Sequence, residues 1–113
     1  AYEDGLYTLG VYDGDTIVGF VLYDYDDTYP GWSMSRFIID RQFQGNGYGK
    51  RAVREFLDYF KKKHGADRIY ISVSLDNAVA RKMYSDLDFR EIKETEYFYS
   101  GHPYREMQMV KHL

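Results

Sequence analysis

An α/β fold built on a mixed sheet is predicted: antiparallel strands, a strand–helix–strand crossover, a second helix, and a closing antiparallel pair. Three observations lead there. Before residue 40 the apolar residues fall in short β-rich runs with a period near two. From Gly49 the period changes to near 3.6, with Val53, Phe56, Leu57 and Phe60 on one helical face. Alternation then returns at Ile69, Ile71, Val73 and Leu75. A strand, a helix and a strand in succession imply a right-handed parallel crossover.

In order along the chain, residues 1–6 carry no clear pattern and read as a frayed beginning. Residues 7–12 and 16–23 flank Asp13-Gly14-Asp15, and Asp-Gly between β-rich runs signals a hairpin. Residues 24–31 read as a polar loop with three aspartates, and 32–39 as a third strand antiparallel to the second. The first helix ends in Lys61, Lys62, Lys63 and His64, cations that suit the negative end of the helix dipole. Gly65 offers the left-handed cap position. This structural reading of the lysine run is preferred to a nucleic-acid patch. A strand over 67–75 follows, and Asp76 or Asn77 can cap a second helix reaching about Leu87. Its stripe of Val79, Met83 and Leu87 reads as core. Residues 90–99 and 104–110 close the sheet around Ser100-Gly101-His102-Pro103. Tyr97, Phe98 and Tyr99 are expected to pack on that sheet, with the loop after them near any acceptor.

At 113 residues the chain reads as one domain. No stretch has the length of a membrane span and no basic-then-apolar leader is present, so no membrane partner is expected. With no cysteine, disulfides, thiolate metal sites and a cysteine nucleophile are excluded; this fits a cytoplasmic location. A net charge of −3 argues against nucleic acid as partner and favours a cationic small molecule. His64, His102 and His112 have no ligand-like spacing, so no metal is assigned.

Between the third strand and the first helix lies Gln44-Gly45-Asn46-Gly47-Tyr48-Gly49-Lys50-Arg51. Glycines let backbone N–H groups come close to a ligand, and a helix start adds unpaired donors and positive potential. Together these make an anion cradle; the plainer alternative is a strand-to-helix turn that binds nothing. A P-loop needs Ser or Thr where Arg51 stands, and a dinucleotide fingerprint needs glycine where Lys50 stands. What does fit is Gln-x-x-Gly-x-Gly, on Gln44, Gly47 and Gly49. In the second helix Asn77, Ala80 and Tyr84 share one face, giving Asn-x-x-Ala-x-x-x-Tyr followed by Phe89. Two motifs in this order, one helix and one strand apart, resemble those of the GNAT superfamily of acetyl-CoA-dependent N-acetyltransferases. The likeness covers residues 7–110, and 36–91 looks most like the bacterial diamine and polyamine (spermine/spermidine) acetyltransferases.

The resemblance implies acetyl-CoA as cosubstrate and a small amine, such as a polyamine, as acceptor. It assigns the pyrophosphate to Gln44, Gly45, Asn46, Gly47, Tyr48 and Gly49, with charge from Lys50 or Arg51. Ile39 and Arg41 would meet the pantetheine arm through their main chain, in a splay between the strands ending near Ile39 and Ser74. A backbone N–H near Ile39 could steady the oxyanion. Asn77 would bond the cofactor, or act only as a helix cap; Ala80 would leave room; Tyr84 would be the general acid, or a half-buried aromatic. A phenol of pKa about 10 can protonate a departing thiolate of pKa about 8.5 without ionising by itself. Asp24, Asp26 and Asp27 read either as a turn or as an anchor for a second charge of the acceptor. With Glu94 they are also candidates for the base, each equally readable as a solvated surface group. Two departures stand out: Asp88 occupies a place where the family has glycine, and Asp tolerates the left-handed turn. The family's first strand and two helices are also not supplied, so residues 1–113 are expected to form a GNAT domain incomplete at its N-terminus. Dimers are common there, which makes a homodimer an expectation by analogy. A catalytically silent CoA-binding module and a purely structural interaction domain are the rival classes.

Overall fold

Asp13 and Thr16 close the first hairpin of a computed structural model that describes residues 6–26, 31–44 and 47–113. Strand β1 (Leu6–Asp13) pairs antiparallel with β2 (Thr16–Asp26), and β2 with β3 (Gly31–Ile39). A short 3-10 turn (Arg41–Phe43) leads to helix α1 (Tyr48–His64), strand β4 (Arg68–Ser74) and helix α2 (Ala78–Asp86). Strands β5 (Arg90–Tyr99) and β6 (His102–His112) complete one six-stranded sheet in the order β1-β2-β3-β4-β6-β5. β3 and β4 are parallel, as the crossover requires, and every other pairing is antiparallel.

The two crossovers, β3-α1-β4 and β4-α2-β5, step the same way across the sheet, so one handedness sets both helices on one face. A single core confirms it: Val53, Phe56, Leu57 and Phe60 of α1 and Tyr84 and Leu87 of α2 meet Val21, Tyr23, Met34, Ile69, Ile71 and Met109. Gly65 holds φ 61° and caps α1 through its N–H to the Lys61 carbonyl. His64 does more than face the helix dipole. Its Nε2 shares a 2.9 Å hydrogen bond with the Tyr23 hydroxyl, and its ring lies 4.3 Å from that of Trp32.

The frayed start falls on residues almost all outside those described. Four other expectations change. Asp24, expected in a loop, continues β2 opposite Ser33, and Asp26 ends that strand opposite Gly31. The ladder and the Tyr25–Trp32 ring contact at 5.2 Å outweigh aspartate's weak strand preference. Val79 is 83% exposed because the inward face of α2 is centred on Ala80, Tyr84 and Leu87, about 100° around the helix from it. Tyr97, Phe98 and Tyr99 are also exposed: β5 is an edge strand, with a neighbour on one side only. The closing hairpin turns tightly on Ser100 and Gly101, both with positive φ, so His102 and Pro103 already belong to β6.

Candidate functional site

At the end of β3 the chain leaves the sheet by stitches that leave a helix start open. The Asp40 N–H bonds the Val18 carbonyl at 2.7 Å, while the Asp40 carboxylate accepts from the Gln42 N–H. Gln44 folds back, its Nε2 donating to the Ile39 carbonyl at 2.9 Å. Gly47, at φ 78°, is the N-cap of α1; among the described residues no side chain caps that end, and no acid sits in the first turn. The amides of Tyr48, Gly49 and Lys50 therefore open the helix without an intrahelical acceptor. Tyr48 is fixed by its hydroxyl, which donates to Asp13 at 2.5 Å and is held above the usual phenol range by that carboxylate. Lys50 reaches Asp86 of α2 at 3.1 Å, and Lys82 shares the same carboxylate. Gly45 and Asn46 lie outside the described residues.

β3 and β4 are bridged only at Ser33 and Tyr70, and beyond that point they diverge. The gap opens into a cavity of about 220 Å³ lined by Met34–Phe37, Ile71–Ser74, Asn77, Ala80 and Tyr84. Asn77 caps α2, its Oδ1 accepting from the Ala80 N–H at 3.0 Å. Tyr84, 6% exposed, is pushed up to about 12 by burial. Four larger hollows, from 280 Å³ beside Asp86–Asp88 to 470 Å³ beside Pro103–Glu106, include neither Tyr84 nor the described residues of the glycine loop. Size does not pick the candidate site; the open start of α1, the slot and the buried, protonated phenol do.

The α2 terminus fixes Tyr84. Asp88 takes the left-handed conformation at φ 72°, so the turn survives without glycine. Its N–H bonds the Ser85 carbonyl at 3.0 Å and the Phe89 N–H bonds the Tyr84 carbonyl at 2.9 Å, the two bonds of a Schellman cap.

Asn77, Ala80 and Tyr84 thus come together with the open strand gap. Ile39 and Arg41 do not line the cavity, and the Ile39 carbonyl is taken by Gln44. Asp24 accepts a hydrogen bond from Ser35 Oγ at 3.2 Å, and Asp27 lies outside the described residues. Glu94 is bound to Arg105 at 2.7 Å on the far hairpin. The sequence reading missed Ser35, Arg36, Ser72 and Ser74, which line the gap. It also missed Arg81, whose guanidinium ties the Leu75 carbonyl to Glu91. The available signal was the doubled Ser-x-Ser at 33–35 and 72–74, hydroxyls at alternate positions of two strands that flank one splay.

Residues 1–89 match the model of the acetyltransferase (GNAT) family. The chain is 32% identical over 93 residues to a probable spermine N(1)-acetyltransferase of Bacillus subtilis subsp. natto and to a spermine/spermidine N(1)-acetyltransferase of Bacillus subtilis. Each match takes in 76% of this chain and 57% of the relative, so the chain spans little more than half their length. Among solved structures, mutant forms of the spermidine/spermine N-acetyltransferase SpeG from Vibrio cholerae superpose with a TM-score of 0.83 at 21% identity, over 98% of this chain and 69% of that one. A ribosomal-protein-alanine N-acetyltransferase from Brucella melitensis gives 0.79 at 17%, over 97% and 70%. These likenesses carry the fold.

Proposed function

The chain belongs to the GNAT acetyltransferase family, and from that premise we propose that it transfers acetyl from acetyl-CoA to a primary amine of a small polyamine such as spermidine or spermine. The observation that carries this reading is the strand gap itself: Tyr84 and Asn77 border an opening whose loop side carries the uncapped start of α1. Its fit to CoA is physical. Uncapped N–H groups suit a diphosphate, and a side chain on Ala80 larger than methyl would enter the slot. Acetyl-CoA supplies the activated thioester. The residues of this chain do the rest. Main-chain donors at Tyr48, Gly49 and Lys50, with the loop from Gln44 through Gly45, Asn46 and Gly47, hold the diphosphate. Asn77 and Ala80 border the arm. Tyr84, kept protonated by burial, gives its proton to the departing sulfur.

The curated relatives that carry polyamine names favour that acceptor, as does the chain's net charge of −3. The same reading places the reaction in the cytoplasm. The Brucella neighbour's fold serves a protein substrate, so a peptide amine is the second acceptor to test. A thiol-release assay with acetyl-CoA and spermidine, spermine, aminoglycosides, amino acids and short peptides decides between them. Polyamine turnover is the expected result. Turnover confined to peptides would move the acceptor, and CoA binding without turnover on any amine would make the domain a silent CoA-binding module.

A further inference from the structure

We infer that Ser35 and Asp24 form a proton outlet for the acceptor amine, on the face of the sheet away from Tyr84. The inference rests on the acetyl-transfer reading and supplies the base that this reading lacks.

The outlet begins with an irregularity in the ladder. β2 and β3 pair Leu22 with Arg36 but Tyr23 with Met34, so Ser35 has no residue opposite it. A bulge of this kind re-aims a side chain. Met34 and Tyr23 point into the core beneath the helices, while Ser35 is exposed. The Ser35 hydroxyl lies within hydrogen-bond reach of Asp24 Oδ1, at 3.2 Å. Asp24 stands opposite Ser33, next to the only bridge between β3 and β4. Ser35 also lines the opening that Tyr84 lines. Ser72 and Ser74, exposed beside the buried Ile71, border it from β4. The slot thus has a phenol on its helix side and hydroxyls backed by a carboxylate on its other side. Arg36, also lining it, is a cation and takes no proton.

The step balances as follows. The neutral acceptor nitrogen forms the C–N bond at the thioester carbonyl and becomes cationic. Ser35 Oγ takes its surplus proton as the Ser35 hydroxyl proton passes to the Asp24 carboxylate. The C–S bond breaks, and Tyr84 protonates the sulfur. Asp24, half-buried and in part reached by water, then returns a proton to solvent, and Tyr84 takes one back. Asp24 acts through Ser35 and is a positioning and proton-accepting partner, not a contact of the amine.

The test uses the full chain and spermidine. Ser35→Ala and Asp24→Asn should each lower kcat about 100-fold, the scale of one general base, with unchanged KM for acetyl-CoA and little change in Tm. Ser35→Thr, which keeps the hydroxyl, should retain most of the rate, and formate should restore part of the activity of Asp24→Ala. A purely structural role gives no such rescue. Variants that keep wild-type kcat, or that raise only the KM for spermidine, overturn the outlet while leaving acetyl transfer in place. A wild-type chain that acetylates no amine overturns both.

Discussion

The Phe89 amide donates to the Tyr84 carbonyl at 2.9 Å while their rings meet edge to face with centroids 5.3 Å apart. The residue that ends α2 thereby aims the phenol in its last turn. Backbone and ring contacts act together, since the Schellman cap brings the residue after the left-handed position against the helix. Tyr84→Phe keeps that packing and deletes only the proton. Turnover should fall about 100-fold or more with calorimetric CoA affinity nearly constant; unchanged turnover removes Tyr84 from the mechanism. Phe89→Leu keeps most of the volume but loses the ring contact, worth about 0.5–1.5 kcal/mol. It should lower kcat more than its small fall in Tm suggests.

Asp88 holds φ 72°, a conformation that costs an L-residue about 1 kcal/mol. Glycine adopts it without strain. Among the described residues the Asp88 carboxylate pairs with Lys111 alone, at a long 3.9 Å and with the Asp88 side chain itself exposed, a contact of small worth. Asp88→Gly should therefore raise stability by about 0.5–1 kcal/mol, read in urea unfolding, and Asp88→Val should lower it by more. A less stable glycine variant would mean that the carboxylate matters here for another reason.

Stability should fall at both ends of the pH scale, through different residues. Burial, with Tyr59 nearby, pushes Tyr23 up to about 12, and burial does the same to Tyr84. Unfolded phenols titrate near 10, so these two contribute their full share below about pH 10 and lose it as the pH rises toward 12. His64 is shifted the other way, lowered by burial and by the charge of Lys63. Its neutral form is the folded one, so stability declines as pH falls below about 6.5. Thermal melts from pH 4 to 11 measure both limbs. His64→Gln should flatten the acid limb and leave the alkaline one, and an unchanged acid limb would clear His64 of that role.

Local periodicity made most of the architecture legible. Val53, Phe56, Leu57 and Phe60 are buried because their spacing has one geometric solution, and Gly65 and Asn77 cap as their chemistry dictates. Val79 misled because a nine-residue helix leaves the centre of its apolar face ambiguous; only packing settles that Ala80 and Tyr84 point inward. Tyr97–Tyr99 misled because β-rich sequence reports strand formation, not what covers the strand. The slot was legible in outline from the two motifs, while Ser35 was not. A bulge depends on the register between strands, and no single-strand pattern records it. Asp24 was singled out, but its hydrogen bond to the slot-lining Ser35 depends on that bulge.

Lys50 stands in the first turn of α1, yet its ammonium is held by Asp86 across the helix pair at 3.1 Å. Lys50 and Lys82 together hold the Asp86 carboxyl below the usual carboxylate range, so the acid keeps its charge beside the proposed diphosphate site. A bound diphosphate must compete with it for Lys50. Exposed pairs of this kind are worth up to about 1 kcal/mol, about five-fold in affinity. Asp86→Asn should therefore tighten CoA binding about two- to five-fold, with the gain shrinking at high salt. Lys50→Met should weaken binding by a similar factor while leaving kcat and Tm nearly unchanged. The two effects should not add in the double variant, since the amide acts only by releasing a lysine that is no longer there. Full additivity would show that Asp86 repels the cofactor directly and that Lys50 is no part of its grip.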